Sequence, residues 1–150
     1  MIYTIGYQKS NLKHIISIMD AKDIGLLVDV RSVPYSRVPE KYEFNKNRMI
    51  EELKDKYLWV GDICGGKSGN PVPQKCINEI IDLHKGRGFN LLLMCMENHP
   101  CDCHRLYDIS RRLVKSGEIP VHLFDGNEVE THVLSERFCK ERGDNRRGKR

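Results

Sequence analysis

The run Phe89-Asn90-Leu91-Leu92-Leu93-Met94, followed at once by Cys95-Met96-Glu97-Asn98-His99-Pro100-Cys101-Asp102-Cys103-His104-Arg105, decides how this chain is read. Its first part is apolar at every position but Asn90, the pattern of a strand covered on both faces in a mainly parallel sheet. Its second part sets thiols, imidazoles, a carboxylate and a guanidinium directly behind that strand. A buried strand that ends in such groups and then turns into a helix has the layout by which α/β proteins place reactive groups at the carboxyl edge of a sheet.

The flanking sequence repeats the alternation. Ile2–Ile5 is short, β-rich and closed by Gly6, and Ser10 precedes Leu12, Ile15, Ile16 and Met19 at helical spacing. Ile24–Val30 is a second nearly continuous apolar run, ending in Asp29-Val30-Arg31. Ser32–Phe44 carries Pro34 and Pro39 without a clean period and reads as a long ordered loop over the sheet edge. A helix is expected over Asn45–Lys56 and a short strand over Tyr57–Val60. Gly61, Gly65, Gly66, Gly69 and Pro71 predict an irregular segment. Pro73 opens a further helix on Ile77, Ile80, Ile81 and Leu83, closed by Gly86 and Gly88. After the central strand, Asp102 stands as N-cap of a helix carrying Leu106, Ile109, Leu113 and Val114. Val121–Phe124 gives a last strand and Val129–Cys139 a terminal helix. This alternation predicts an α/β fold: a single-domain, Rossmann-like three-layer sandwich with a mainly parallel sheet.

At 150 residues the chain fits one domain, residues 1–136, followed by a basic tail over 137–150. Apolar content of 39% with 31% charged residues is that of a soluble globular protein, and the apolar runs are far shorter than the roughly 20 residues of a membrane span, so no membrane partner is expected. The start Met1-Ile2-Tyr3-Thr4 lacks a basic region before a long apolar stretch, which assigns the chain to the cytoplasm and its six cysteines to the reduced state. Cys64, Cys76 and Cys139 then read as small buried apolar residues. The net charge of +4 is uneven: Arg137–Arg150 holds seven Lys or Arg against Glu141 and Asp144. Such a tail reads as a disordered end able to bind nucleic acid through phosphate contacts.

Chemistry centres on the Cys95–Arg105 stretch. Placed in the first turn of a helix, Cys103 meets unpaired N–H groups and the positive dipole end, which favour a thiolate, and this makes it the leading nucleophile candidate. His104 is the adjacent base, although neighbours on a helix point about 100° apart. Cys95 is the partner thiol, and Glu97, inside the thiol loop, is a general acid or base. Arg31, Arg37 and Arg105 supply guanidinium forks suited to phosphate or carboxylate, with Asp29 orienting an arginine from the same strand face as Arg31. Gly65-Gly66, with Lys67 and Ser68 beside it, offers either backbone approach to a ligand or a tight turn, and is not a Walker loop. Tyr35, Tyr42, Phe44, Tyr57 and Trp59 either stack on a base or pack the long loop down. Zinc is the competing reading of the thiols. Cys95, His99, Cys101, Cys103 and His104 are five candidate ligands in ten residues, but no second knuckle accompanies them, so the spacing does not favour a metal and no cofactor is assigned.

Four separated blocks also resemble a known family: Thr4-Ile5-Gly6-Tyr7, the stretch Asp29-Val30-Arg31-Ser32-Val33-Pro34-Tyr35-Ser36-Arg37, the Gly65-Gly66 pair, and Cys95-x-Glu97-x-x-Pro100-x-x-Cys103-His104-Arg105. Together they are similar to the domain of unknown function 488 family over Tyr3–Phe124. The resemblance implies an α/β fold and marks these blocks as the site, adding Tyr7 and Ser36 to the ligand-binding set; it names no reaction. The expected function is an enzyme, a cysteine- or carboxylate-dependent hydrolase or transferase, acting on a phosphate-bearing small molecule, nucleotide or nucleic acid. The alternatives are a non-catalytic anion- or nucleic-acid-binding module and a zinc-binding domain.

Overall fold

A computed structural model of the chain describes residues 1–66, 70–134 and 139–140. Lys67 and Ser68, and the basic tail from residue 141 onward, lie outside the described residues. Among those described, no helix is long and apolar enough to cross a membrane.

One six-stranded sheet organises the molecule. Its strands are β1 (Ile2–Gly6), β2 (Ile24–Asp29), β3 (Tyr57–Trp59), β4 (Asn90–Cys95), β5 (Val121–Phe124) and β6 (Asn127–Glu130), in the order β3-β2-β4-β1-β5-β6. All neighbours run parallel except β6, which lies antiparallel to β5. The apolar runs occupy the middle of the sheet, where Leu91, Leu92 and Leu93 of β4 are fully buried.

Helices cover both faces because each carries one apolar stripe that the sheet can bury. On one face α1 (Leu12–Ala21) and α2 (Lys46–Leu53) bring Leu12, Ile15, Met49 and Leu53 against Ile5, Leu27, Leu92 and Met94. On the other, α3 (Gly61–Cys64), α4 (Gln74–Arg87) and α5 (Arg111–Lys115), the last preceded by a π-helical turn over Arg105–Ser110, bring Cys64, Ile77, Ile80, Ile109 and Leu113 against Leu26, Val28, Leu91 and Leu93. The register levels the carboxyl ends of the central strands, pairing Gly6 with Cys95 and Asp29 with Met94. Residues just beyond β1, β2 and β4 therefore meet at one edge.

Four expectations are corrected. The glycine-rich segment begins with a regular element, the one-turn helix α3. Asp102 closes a 3₁₀ turn, Pro100–Asp102, rather than capping the following helix. The terminal helix expected over Val129–Cys139 is replaced up to residue 134 by β6 and a 3₁₀ turn, Thr131–Val133; residues 135–138 lie outside the described residues, and 139–140 are helical. Asp125 and Gly126, both at positive φ (51° and 74°), form the two-residue turn that reverses the chain into a hairpin. The cysteines, finally, are not all thiols: Cys64 is bonded to Cys76 and Cys101 to Cys139, at Cα separations of 5.2 and 5.3 Å, while Cys95 and Cys103 are free. Packing of α3 on α4 brings the first pair together; distance in the fold, invisible in sequence spacing, decides it.

Candidate functional site

Beyond the carboxyl ends of β1, β2 and β4 lies a cavity of about 390 Å³. Tyr7 enters it from the end of β1, Arg31 from the end of β2, Cys95 and Glu97 from the end of β4, and His104 from the start of the π-helical turn; Ser36 and Arg37 come from the long loop and Gly66 from the glycine segment. Ser32, Val33, Tyr35 and Met96 complete the wall and were not singled out as ligand-binding in the sequence, Tyr35 entering only among the stacking aromatics.

Asp29, Gly65, Cys103 and Arg105 do not line it. Asp29 is fully buried and takes both ends of the Arg31 fork, Nε at 2.8 Å and Nη2 at 2.6 Å, while Tyr57 donates to it at 2.5 Å. Burial alone would lower the Arg31 pKa, but the hydrogen bonds and charge of Asp29 outweigh it and hold the guanidinium above its ordinary value. Burial and the Asp29 charge likewise push the Tyr57 phenol up. Nη2 of Arg31 also donates to the Phe44 carbonyl, whereas Nη1 is buried and has no partner among the described residues. Asp29 thus aims Arg31 rather than touching a ligand. Of the aromatic residues read as stacking candidates, Tyr35 alone lines the cavity. Phe44 stacks on Tyr7, Trp59 donates to the Arg31 carbonyl, and Tyr42 is half exposed.

Arg105 is completely buried, and its donors hold backbone. Nη1 reaches the Glu97 carbonyl at 2.6 Å, Nη2 the Asn98 carbonyl at 3.0 Å, and Nε the Thr4 hydroxyl at 3.3 Å. The clamped loop lies so close to the end of β1 that a Cβ on Gly6 would stand 1.7 Å from the Glu97 oxygen. Arg105 is therefore a brace for the loop, not an anion ligand.

Of the two free thiols, Cys95 lines the cavity and Cys103 sits behind its wall. Cys103 is extended (φ −134°, ψ 142°) and precedes the helix, so its side chain is not set 100° from that of His104; its sulfur lies 3.7 Å from His104 Nδ1 and accepts the Arg105 N–H at 3.5 Å. His104 Nε2 donates to the Cys64 carbonyl at 2.9 Å, which leaves Nδ1 facing the sulfur. A Cβ on Gly66 would come within 2.7 Å of the His104 ring, so this glycine serves close approach to the imidazole, while Gly65 packs against Ser32. Burial would raise the Cys103 pKa, but hydrogen bonds from Cys95 and His104 and the Arg105 charge hold it well below that of an ordinary thiol. Its neighbours move the other way. Cys95 is pushed up by its hydrogen bond with Cys103 and by burial, and Glu97 by burial and the Cys103 charge. Burial opposes protonation of His104, but its hydrogen bond with Cys103 raises it. Cys103 is 1% exposed, so a substrate in the cavity meets Cys95, Glu97 and His104 first, and the role of direct nucleophile read from the sequence does not fit its position.

Of the five candidate ligands in the thiol loop, three converge. Single donor atoms of Cys95, Cys103 and His104 lie within 4.8 Å of one another. Cys101 is bonded to Cys139, and His99 turns away, its Nδ1 accepting the Cys101 N–H and its ring tilted on Phe124 at 4.7 Å.

Residues 11–79 match the model of a family described as Domain of unknown function DUF488. The match takes in the Asp29–Arg37 block and the Gly65-Gly66 pair, and Thr4–Tyr7 and Cys95–Arg105 fall outside it. No curated protein and no solved structure matches the chain.

Proposed function

We propose that this DUF488-matching protein is an enzyme acting on a phosphate-bearing small molecule or nucleotide held in the cavity at the carboxyl edge of its sheet. A single observation carries the reading: one cavity is lined at once by a thiol, a carboxylate and an imidazole (Cys95, Glu97, His104) and by two guanidinium groups (Arg31, Arg37). Guanidinium groups suit phosphate oxygens, Arg37 with its fork and Arg31, whose fork is held by Asp29, with its charge. Asp29 holds the Arg31 fork rigid, and Nη1 is buried with no hydrogen-bond partner among the described residues. Glu97, raised by burial and by the Cys103 charge, holds a proton more readily than an ordinary carboxylate, as an acid or base in the cavity must. The sheet serves as a Rossmann-like scaffold in this reading. Support comes from helices on both faces and from strand order: the connection from β1 runs to β2 on one side and that from β4 to β5 on the other, so a crevice opens between the ends of β1 and β4, where α/β folds bind ligands.

The test is protection and turnover. Inorganic phosphate, and then a panel of phosphate monoesters and nucleotides, should slow alkylation of Cys95 saturably, and Arg37→Ala should weaken that protection; at least one of the panel should be converted by the wild type and not by Glu97→Gln. Cys95 alkylation indifferent to every phosphate compound, with none converted, refutes the reading.

A further inference from the structure

We propose that Cys95, Cys103 and His104 form a tetrahedral site for a zinc-type divalent cation, with the fourth position open to the cavity beside Glu97. This rests on the enzyme reading above and supplies its reacting centre.

Distance geometry comes first. A zinc–sulfur bond of about 2.3 Å and a zinc–nitrogen bond of about 2.05 Å at a tetrahedral angle place the two donors about 3.6 Å apart. The sulfur of Cys103 and Nδ1 of His104 are 3.7 Å apart. The Cys95 sulfur completes a triangle in which no donor pair exceeds 4.8 Å, wide enough for the sulfur–sulfur spacing of about 3.8 Å that the same bond lengths require.

The surroundings are those of a ligand set. A metal-bound imidazole is fixed through its other ring nitrogen, often by a backbone carbonyl. Here Nε2 is held by the carbonyl of Cys64, itself anchored by the bond to Cys76, and Gly66 packs against the ring. The Cys103 sulfur receives the backbone N–H of Arg105, a donor of the kind that steadies a coordinated thiolate. Burial sorts the ligands from the chemistry. Cys103 is sealed off as a ligand can be and an attacking group cannot, while Cys95 and His104 reach the cavity wall and leave room on that side. Two thiolates balance a divalent charge, and two soft sulfurs with one imidazole favour zinc over hard cations.

Glu97 defines what the open position does. Its Oε2 lies 3.4 Å from the Cys95 sulfur and faces the same cavity. A water bound at the fourth position gives one proton to Glu97 and leaves hydroxide on the metal, facing the substrate whose anionic end rests on the arginines; no oxidant or reductant is involved.

The full chain, stripped with a chelator and kept anaerobic, is titrated with Co²⁺ and then Zn²⁺ as probes. One Co²⁺ per chain should bind, with the strong ligand-field bands of a tetrahedral ion and a charge-transfer band sized for two thiolates, and Zn²⁺ should displace it. Cys103→Ser and His104→Ala should abolish the tetrahedral spectrum, Gly66→Ala should weaken affinity by about 10- to 100-fold through the displaced imidazole, and Glu97→Gln should keep the spectrum. Absence of stoichiometric cobalt, or a spectrum unchanged by Cys103→Ser, overturns the site. Loss of the spectrum in Glu97→Gln overturns the open fourth position. Phosphate protection without metal defeats the metal site and leaves the enzyme reading standing. A tetrahedral site in a protein indifferent to phosphate compounds does the reverse.

Discussion

Acid should destabilise this protein through one histidine. His122 of β5 is completely buried between Thr4 and Thr131, and the donors there run in one direction. Thr131 gives its hydroxyl proton to the Pro120 carbonyl at 2.8 Å, so it accepts from His122 Nε2 at 3.0 Å. Thr4 accepts from Arg105 Nε and donates to His122 Nδ1 at 2.6 Å. The imidazole is thus neutral with its proton on Nε2, and burial, aided by the Arg105 charge, lowers its pKa from 6.5 to about 3. Below pH 6.5 the unfolded chain takes up a proton that the folded chain refuses until about pH 3. The contribution is therefore complete above 6.5 and is lost as pH falls, by about 1.4 kcal/mol per unit. Between pH 7 and pH 5 the loss comes to about 2 kcal/mol. Urea unfolding of the wild type and of His122→Gln, compared at each pH, isolates this group from every other titration. The stability gap between the two should shrink by about that amount from pH 7 to pH 5. A gap constant with pH would refute the reasoning, because it would mean that His122 titrates alike folded and unfolded.

Three further outcomes are expected. Asp29→Asn leaves the Arg31 guanidinium buried without its counter-charge and should cost about 3–5 kcal/mol in urea unfolding, far more than an exposed pair would. Cys76→Ser opens the loop to Cys64, with a sequence separation of 12, and should lower stability by about 3 kcal/mol, read as a lower thermal midpoint than that of the wild type in buffer without reductant. Arg105→Leu removes the brace of the Glu97 and Asn98 carbonyls and leaves them unpaired; it should both destabilise the fold and raise the alkylation rate of Cys95, whereas a purely global effect would leave the native-state alkylation rate unchanged.

The strands and the site edge were legible because hydrophobic continuity reports them directly: Ile24–Asp29 and Asn90–Cys95 are the two central runs, and the groups behind them had nowhere to go but the carboxyl edge. What was not legible depends on geometry that no single residue carries. Asp125 and Gly126 turn the chain from β5 into β6, where the spacing from Val129 onward predicts a helix. Asp102 is a good cap residue, yet the 3₁₀ turn from Pro100 uses it, and the extended Cys103 starts the helix one step later. Three arginines looked alike in sequence, and packing gave them three roles: Arg31 aimed by Asp29, Arg37 exposed on the cavity wall, Arg105 buried as a brace. Pairing of Cys64 with Cys76 and of Cys101 with Cys139 follows from the contact of separate elements.

The Arg105 brace has a further consequence for how the protein moves. Its contacts fasten the Glu97–Asn98 loop to Thr4, on the strand beside β4, so opening of the loop requires those bonds to break. Its amides should exchange with solvent only when the sheet itself comes apart. The floor of the cavity behaves as part of the core, and whatever compliance a bound molecule needs must come from the opposite wall. There Val33 and Tyr35 stand more than half exposed, at 60% and 55%. Fit to one molecule over another is then set by the loop from Ser32 to Arg37, against a braced floor.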